Sequence, residues 1–202
     1  MYIPKKNLQT NKKQIVEFIQ RFSFGTIITS KNNVPIATHL PFLISENEGD
    51  IILTSHFSKA NKQWKDIEDK NVLVIFSEPH AYISPKNYGK ELNVPTWNYI
   101  SVHAYGKGKI ITDLEKTFEL LEGTIENFEV AYKQQWNKLP LGFKTKMANG
   151  IVAFEIKVSE IQAKEKLSQN KTKKEQKNII DSLSNSGTYN EKLIADYMRK
   201  NL

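Results

Sequence analysis

The chain has 202 residues, 39% of them hydrophobic and 10% aromatic, with a mean hydropathy of −0.50 and a formal net charge of +7. That is enough for one domain with a full core, and too aromatic for a disordered chain. Cysteine is absent, which excludes disulfides, thiolate-bound zinc, iron–sulfur clusters and thiol catalysis. No run approaches the ~18 apolar residues of a membrane span, and Met-Tyr-Ile-Pro-Lys-Lys at 1–6 lacks the apolar core of a signal peptide. No membrane association is expected, and the cytoplasm is the expected compartment.

In chain order, Asn11 and Gln14 offer a capping box for a helix that carries Ile15, Phe18, Ile19 and Phe22 on one side and ends near Phe24-Gly25. Two strands should follow, over 26–30 and 34–44, joined by Lys31-Asn32-Asn33. Pro35 and Pro41 cannot donate to a ladder, so the second strand is expected at an edge or a bulge. His39 lies between them, and a lone strand histidine is more often structural than a ligand. A third strand over 51–56 should lead into a short helix over 57–64. At that junction Thr54, Ser55, Ser58 and Lys59 have the composition of an anion site, where helix amides and dipole favour a phosphate, although a plain N-cap with a surface lysine has the same composition.

The apolar run 72–76 reads as a central strand. A long connection follows, restrained by Pro79, Pro85 and Pro95. The stretch after it alternates, placing Tyr99, Ser101, His103 and Tyr105 on one face and Ile100, Val102 and Ala104 on the other. Thr112 and Glu115 suggest a second capping box, for an inserted helix over 113–128 with Leu114, Phe118, Leu121, Ile125 and Phe128 as its apolar stripe. Tyr132 and Trp136 extend an aromatic surface near its end. A short helical element is expected over 139–147, a strand over 151–159, and a neighbouring strand over 161–167. Ser168-Gln169-Asn170 then breaks the pattern, and Thr172 with Glu175 caps a helix through Leu183. A last helix from Asn190 turns Leu193, Ile194, Tyr197 and Met198 inward. Six or seven strands with peripheral helices imply a mainly β, α+β small antiparallel barrel, with a domain over 1–167 and a helical extension over 168–202.

A flavin mononucleotide needs cations and amides for its phosphate, polar groups for its ring edge and apolar or aromatic walls. Residues 54–59, residues 168–170 with the strand after Val94, and Tyr82, Trp97 and Tyr99 supply each kind. The four histidines, at 39, 56, 80 and 103, stand singly without metal-ligand spacing, and there is no glycine-rich phosphate loop and no Gly-x-Ser-x-Gly elbow. The basic residues concentrate at Lys164, Lys166, Lys171, Lys173, Lys174 and Lys177, against Glu165 and Glu175. That run is a candidate DNA contact, although such runs are more often solvated faces.

Several stretches together carry a family resemblance: Met-Tyr-Ile-Pro at 1–4, Ala-Thr-His-Leu-Pro at 37–41, His56 through Trp64, and Pro-His-Ala-Tyr-Ile-Ser-Pro at 79–85. Val-Pro-Thr-Trp-Asn-Tyr at 94–99, Val-His-Ala-Tyr-Gly at 102–106, Gly-Ile-Val at 150–152 and Lys-Leu-Ser-Gln-Asn at 166–170 complete the set. Over essentially its whole length the chain resembles the PaiB-type family of FMN-binding negative transcriptional regulators. The resemblance implies an FMN-binding split β-barrel like that of pyridoxamine-phosphate oxidases, a homodimer, and FMN in the cleft between subunits. By position it places Thr38, His39 and Leu40 beside the flavin ring, Thr54 and Ser55 on the ribityl-phosphate arm, and Ser58 and Lys59 on the phosphate. Trp97, Asn98 and Tyr99 would close the site, with Lys166, Ser168, Gln169 and Asn170 contributing late in the barrel. Two departures stand out: Ser58-Lys59 replaces an expected Ala-Arg, exchanging a bidentate fork for a point charge, and Lys86-Asn87 replaces an aromatic after Ser-Pro. Two other functions suit the same residues, an FMN-dependent oxidoreductase of a small substrate and a haem- or ligand-binding barrel.

Overall fold

Alternating side chains and tight polar turns dominate the chain, and the structure follows them. The computed structural model describes residues 1–202 except Asp69. A two-residue strand β1 (Leu8–Gln9) precedes helix α1 (Lys12–Arg21), where the Asn11 carboxamide accepts from the Gln14 amide at 3.2 Å. β2 (Phe24–Lys31) and β3 (Val34–Pro41) pair antiparallel across Asn32 and Asn33. Both asparagines have positive φ, 52° and 62°, as the right-handed twist of a two-residue hairpin requires. The expected strand over 34–44 is interrupted at Phe42. It resumes as β4 (Leu43–Asn47), which turns through Glu48-Gly49 into β5 (Asp50–Ser58).

β6 (Asn71–Phe76) and β7 (His80–Ile83) precede β8 (Thr96–Ile110). The inserted helix is α2 (Leu114–Phe128), but Asp113 and not Thr112 caps it, accepting from the amides of Glu115 and Lys116. α3 (Lys133–Lys138) and α4 (Leu141–Ala148) follow. The two late strands expected over 151–159 and 161–167 are one, β9 (Ile151–Lys166). Alternation cannot mark an end where no turn residue intervenes. The expected capping box of Thr172 and Glu175 opens α5 (Lys173–Ser184), and α6 (Tyr189–Lys200) ends the fold.

The sheet is antiparallel and open, in the order β3-β2-β6-β8-β9-β5-β4, with β1 beside β9 and β7 beside β8. β3, with its two prolines, is an edge strand, and β6 is central, as their compositions require. The chain divides into two compact units, one of residues 1–15, 77–103 and 162–202, the other of residues 16–76 and 104–161. The second is centred on Phe42, Phe57, Phe76 and Phe154, each at most 1% exposed, with Phe57 stacked on Phe154 at 4.9 Å and Phe42 edge-on to Phe76 at 5.6 Å. Each such ring contributes about 1.5–3 kcal/mol by burial. In the first unit α5 packs on α6, and α6 packs on β7. Buried Ile179, Ile180, Leu183, Leu193, Ile194 and Met198 join Ala81, Ile83 and Ile100 in its core. Helices α5 and α6, expected as an extension from residue 168, thus group with 1–15 and 77–103.

Candidate functional site

In the second unit the strand β5 runs two residues further than expected, which decides how its hydroxyls point. Thr54 and His56 are half-buried and Ser58 is exposed, while Ser55 lies on the opposite, buried side and donates its Oγ to the Pro41 carbonyl at 2.6 Å. Burial holds the His56 imidazole below its ordinary value, so it is neutral near pH 7. After Ser58 the chain turns instead of starting an α-helix. The Lys59 amide donates to the Gly150 carbonyl at 2.9 Å, and Asn61 caps a 3₁₀ helix of only five residues, Lys62–Asp66. The expected helix over 57–64, with a dipole and free amides for a phosphate, is therefore absent. What remains at the corner is an exposed hydroxyl and an exposed ammonium.

Thr38 is drawn into a network that the sequence reading missed. Its Oγ1 donates to Gln63 Oε1 at 2.5 Å and accepts from Asn61 Nδ2 at 2.9 Å. Gln63, 3% exposed, donates from Nε2 toward the Ile27 and Ile36 carbonyls and Thr29 Oγ1. The Asn61-x-Gln63-Trp64 spacing inside the family stretch at 56–64 was the available signal. His39 is exposed and stacks on Phe24 at 6.3 Å, and Leu40 is half-buried. Thr54 also lines a cleft of about 420 Å³ with Ser23, Leu43, Ser45 and Asn127.

In the first unit, β7 and β8 pair His80 with Tyr99 and Tyr82 with Trp97. The pleat puts these four rings on one side. Trp97 is 51% exposed, with Tyr82 edge-on at 5.9 Å and His80 tilted at 5.6 Å. Lys166 donates to the Trp97 carbonyl at 2.6 Å and to Thr96 Oγ1. Burial and the neighbouring Lys164 charge hold its ammonium below the ordinary lysine value. Lys164 sits 5.1 Å from the Tyr99 ring centre and donates to the Tyr2 carbonyl. Asn98 is fully buried, accepting from Ser168 Oγ at 3.0 Å and pointing its amide at Met198 Sδ. It supports the strand from behind. Gln169 closes its own loop by accepting from the Leu167 amide and donating to the Glu165 carbonyl, and Asn170 is exposed.

The connection before β8 is tied down by the C-terminal helices. The Gly89 amide donates to Glu175, Asn178 donates to the Asn87 carbonyl, and Lys171 donates to Asn93 while lying 3.6 Å over the Tyr88 ring. The basic run over 164–177 is thus not one solvated face: Lys164, Lys166 and Lys171 are engaged, Lys173 is exposed but donates to the Leu202 carbonyl at 2.6 Å, and Lys174 and Lys177 are exposed. Trp136, expected on an aromatic surface, is 6% exposed, with its Nε1 donating to Glu122 at 2.9 Å. Among the described residues no three His, Asp or Glu groups gather as for a metal ion, and no helix is long and apolar enough to cross a membrane.

Each unit taken by itself carries groups of a kind flavins use: in the second, Ser58 and Lys59 offer a hydroxyl and a cation suited to a phosphate, and in the first, Trp97 with Tyr82 offers a half-exposed flat surface suited to a ring. An open antiparallel sheet with peripheral helices is the architecture of a split barrel. The fold matches the flavocytochrome Anf3 from Azotobacter vinelandii (TM-score 0.64, 18% identity, 81% of this chain and 72% of that one). It also matches the FAD and heme binding protein from Mycobacterium smegmatis (TM-score 0.62, 14% identity, 79% of this chain and 73% of that one). Residues 1–160 match the family described as "Putative FMN-binding domain", and the chain belongs to that family. It is 41% identical over 205 residues to the Protease synthase and sporulation protein PAI 2 of Bacillus subtilis, covering 100% of this chain and 98% of the relative. An uncharacterized protein of Emericella nidulans is 29% identical over 206 residues, 81% of each chain. Flavin is accordingly the cofactor of the class to which this chain belongs.

Proposed function

We propose that this protein binds FMN as a homodimer and acts as a PaiB-type negative transcriptional regulator. The observation that carries the flavin reading is the half-exposed Trp97, braced by Tyr82 and His80 and tied at its carbonyl by Lys166. A tryptophan held rigid and left open suits a flat ring at little entropic cost. Ser58 and Lys59 take the phosphate, Thr54 lies toward the ribityl arm while Ser55, turned inward onto the Pro41 carbonyl, braces the strand, and Thr38, His39 and Leu40 run along the ring. Tyr99 lies on the same side of the sheet as Trp97, while Asn98, Ser168 and Gln169 hold the strand and its neighbouring loop and Asn170 is open to the ligand. When bound, FMN supplies an electron-accepting ring that absorbs visible light. The regulator reading is supported by the full-length likeness to the sporulation protein of Bacillus subtilis.

Absorption and fluorescence of the purified protein titrated with FMN test the cofactor. Lys59→Gln should weaken FMN binding roughly tenfold, the loss of a charge-assisted bond, and Lys59→Arg should keep it. Unchanged affinity in both Lys59→Gln and Trp97→Ala would remove the site as drawn. A second reading, an FMN-dependent oxidoreductase of a small substrate, is favoured by His80 beside Trp97 as a group able to give a proton at the ring. Rapid turnover with NADH or NADPH would move the assignment to that reading.

A further inference from the structure

In the unit of residues 16–76 and 104–161, the end of α1, strands β4 and β5 and helix α2 enclose a cleft of about 420 Å³, within the size range of small-molecule sites. Its floor is apolar, formed by Phe42 and Leu43. Around that floor stand Gln20, Ser23, Ser45, Thr54, Glu126 and Asn127. Glu126 is paired with Lys133, but the other five make no side-chain hydrogen bond among the described residues. Four of these five are exposed or half-buried, and water is a sufficient partner for them. Ser23 differs. It is 7% exposed, its carbonyl accepts from the Phe42 amide at 2.8 Å, and its hydroxyl faces the cleft without a partner. A buried hydroxyl left unmet is costly, so the cleft favours an occupant that meets it.

The helix wall is shaped for the same opening. Gly123, Glu126 and Asn127 share one face of α2 by their spacing. Glycine weakens a helix interior, and a Cβ at this one would lie 3.1 Å from Leu43 Cδ1, so a larger residue would crowd the floor. Strand register sets the direction of the cleft. Leu43 pairs with Thr54 and Ser45 with Ile52, so it runs from Thr54 away from Ser58, which lies about 13 Å the other way along β5. Among the described residues no cation lines the cleft, and the Glu126 carboxylate is already matched by Lys133, so a charged occupant would enter unpaired. Hydroxyls and carboxamides both donate and accept, which suits them to ligand hydroxyls, while the apolar floor suits C–H faces.

We infer that the cleft between α1, β4, β5 and α2 binds a neutral polyhydroxy compound, a sugar or polyol, with the Ser23 hydroxyl at its base. The inference goes beyond the flavin reading and does not rest on it; Thr54 is the one residue the two share. The full chain is titrated with D-glucose, sucrose and sorbitol, and with acetate and choline as charged probes, while backbone amide NMR shifts are followed. At least one neutral probe should bind and shift the Ser23, Ser45 and Asn127 amides, and neither charged probe should. Ser23→Ala should weaken that probe about fivefold, the loss of one hydrogen bond. Gly123→Ala favours the helix and meets only the end of a flexible side chain, so it should also weaken the probe without lowering the urea midpoint. FMN affinity should be the same in both variants as in the parent. No binding by any of the three neutral probes, binding by acetate or choline instead, or unchanged probe affinity in both variants would overturn the inference. Displacement of the bound probe by FMN would give the cleft to the ribityl chain and overturn it equally. FMN binding is read in its own titration, so its failure would strike the flavin reading and leave the sugar result to stand or fall alone.

Discussion

Gln63 joins a strand edge to the turn after β5 through a single side chain. Its amide donates toward two backbone carbonyls and the Thr29 hydroxyl, and its oxygen accepts from Thr38. Burial makes each unmet partner expensive, so Gln63→Leu should lower stability by about 2–3 kcal/mol, read from the urea midpoint. An unchanged midpoint would mean that the network is not holding Thr38. Lys59 is the opposite case, an exposed charge whose loss should leave stability alone and show only in FMN affinity. Trp97 and Asn98 show why neighbouring residues of one motif take different parts. Adjacent strand positions face opposite ways, so the ring is half-exposed and the amide is fully buried.

At the scale of elements, the long strands β8 and β9 meet where a side chain has no room. A Cβ on Gly106 would lie 2.3 Å from the Lys157 carbonyl oxygen, whereas one on Gly89 would meet nothing within 4 Å. Gly106→Ala should therefore cost about 1–3 kcal/mol through displaced backbone, and Gly89→Ala should be close to neutral in the same unfolding measurement. Glu175 couples α5 to the connection before β8. The Thr172 and Gly89 amides and the Thr172 hydroxyl stabilise its ionised form and hold its carboxyl below the ordinary range. Because the folded value is the lower one, this contribution is present above the unfolded value of about 4.3 and is lost as pH falls through the folded value. The protection of the Gly89 amide against hydrogen exchange, taken relative to an unstructured peptide at the same pH, should fall in that acid window in the parent, and Glu175→Gln should be less protected throughout without the pH step. A pH step that survives in the variant would assign it to another carboxylate.

At the scale of the molecule, the net charge of +7 does not by itself define a nucleic-acid surface. Of the six lysines at 164–177, four are engaged by tyrosine rings, carbonyls or Asn93, Lys173 among them through the Leu202 carbonyl, which leaves a small exposed set on α5. If a regulator built on this chain meets DNA there, a Lys173→Gln/Lys174→Gln double variant should bind promoter DNA more weakly and with a shallower salt slope by about two charges. Equal binding and slope in parent and variant would detach any regulatory role from this helix.

The sequence by itself determined the antiparallel class, the edge position of the proline-bearing strand, the central apolar strand, the Thr172–Glu175 cap and the family. Each rests on local periodicity, backbone restriction or a contiguous motif, which a linear reading can see. The tertiary structure alone decided that β5 continues to Ser58 and turns Ser55 inward, that β9 is unbroken for 16 residues, that Gln63 is a hub, and that four of the six lysines in the basic run are spent within the chain. Those outcomes depend on which partner lies across the sheet or beneath the ring. A side chain's neighbours in space follow from packing between segments far apart in the chain, and no spacing along it records them.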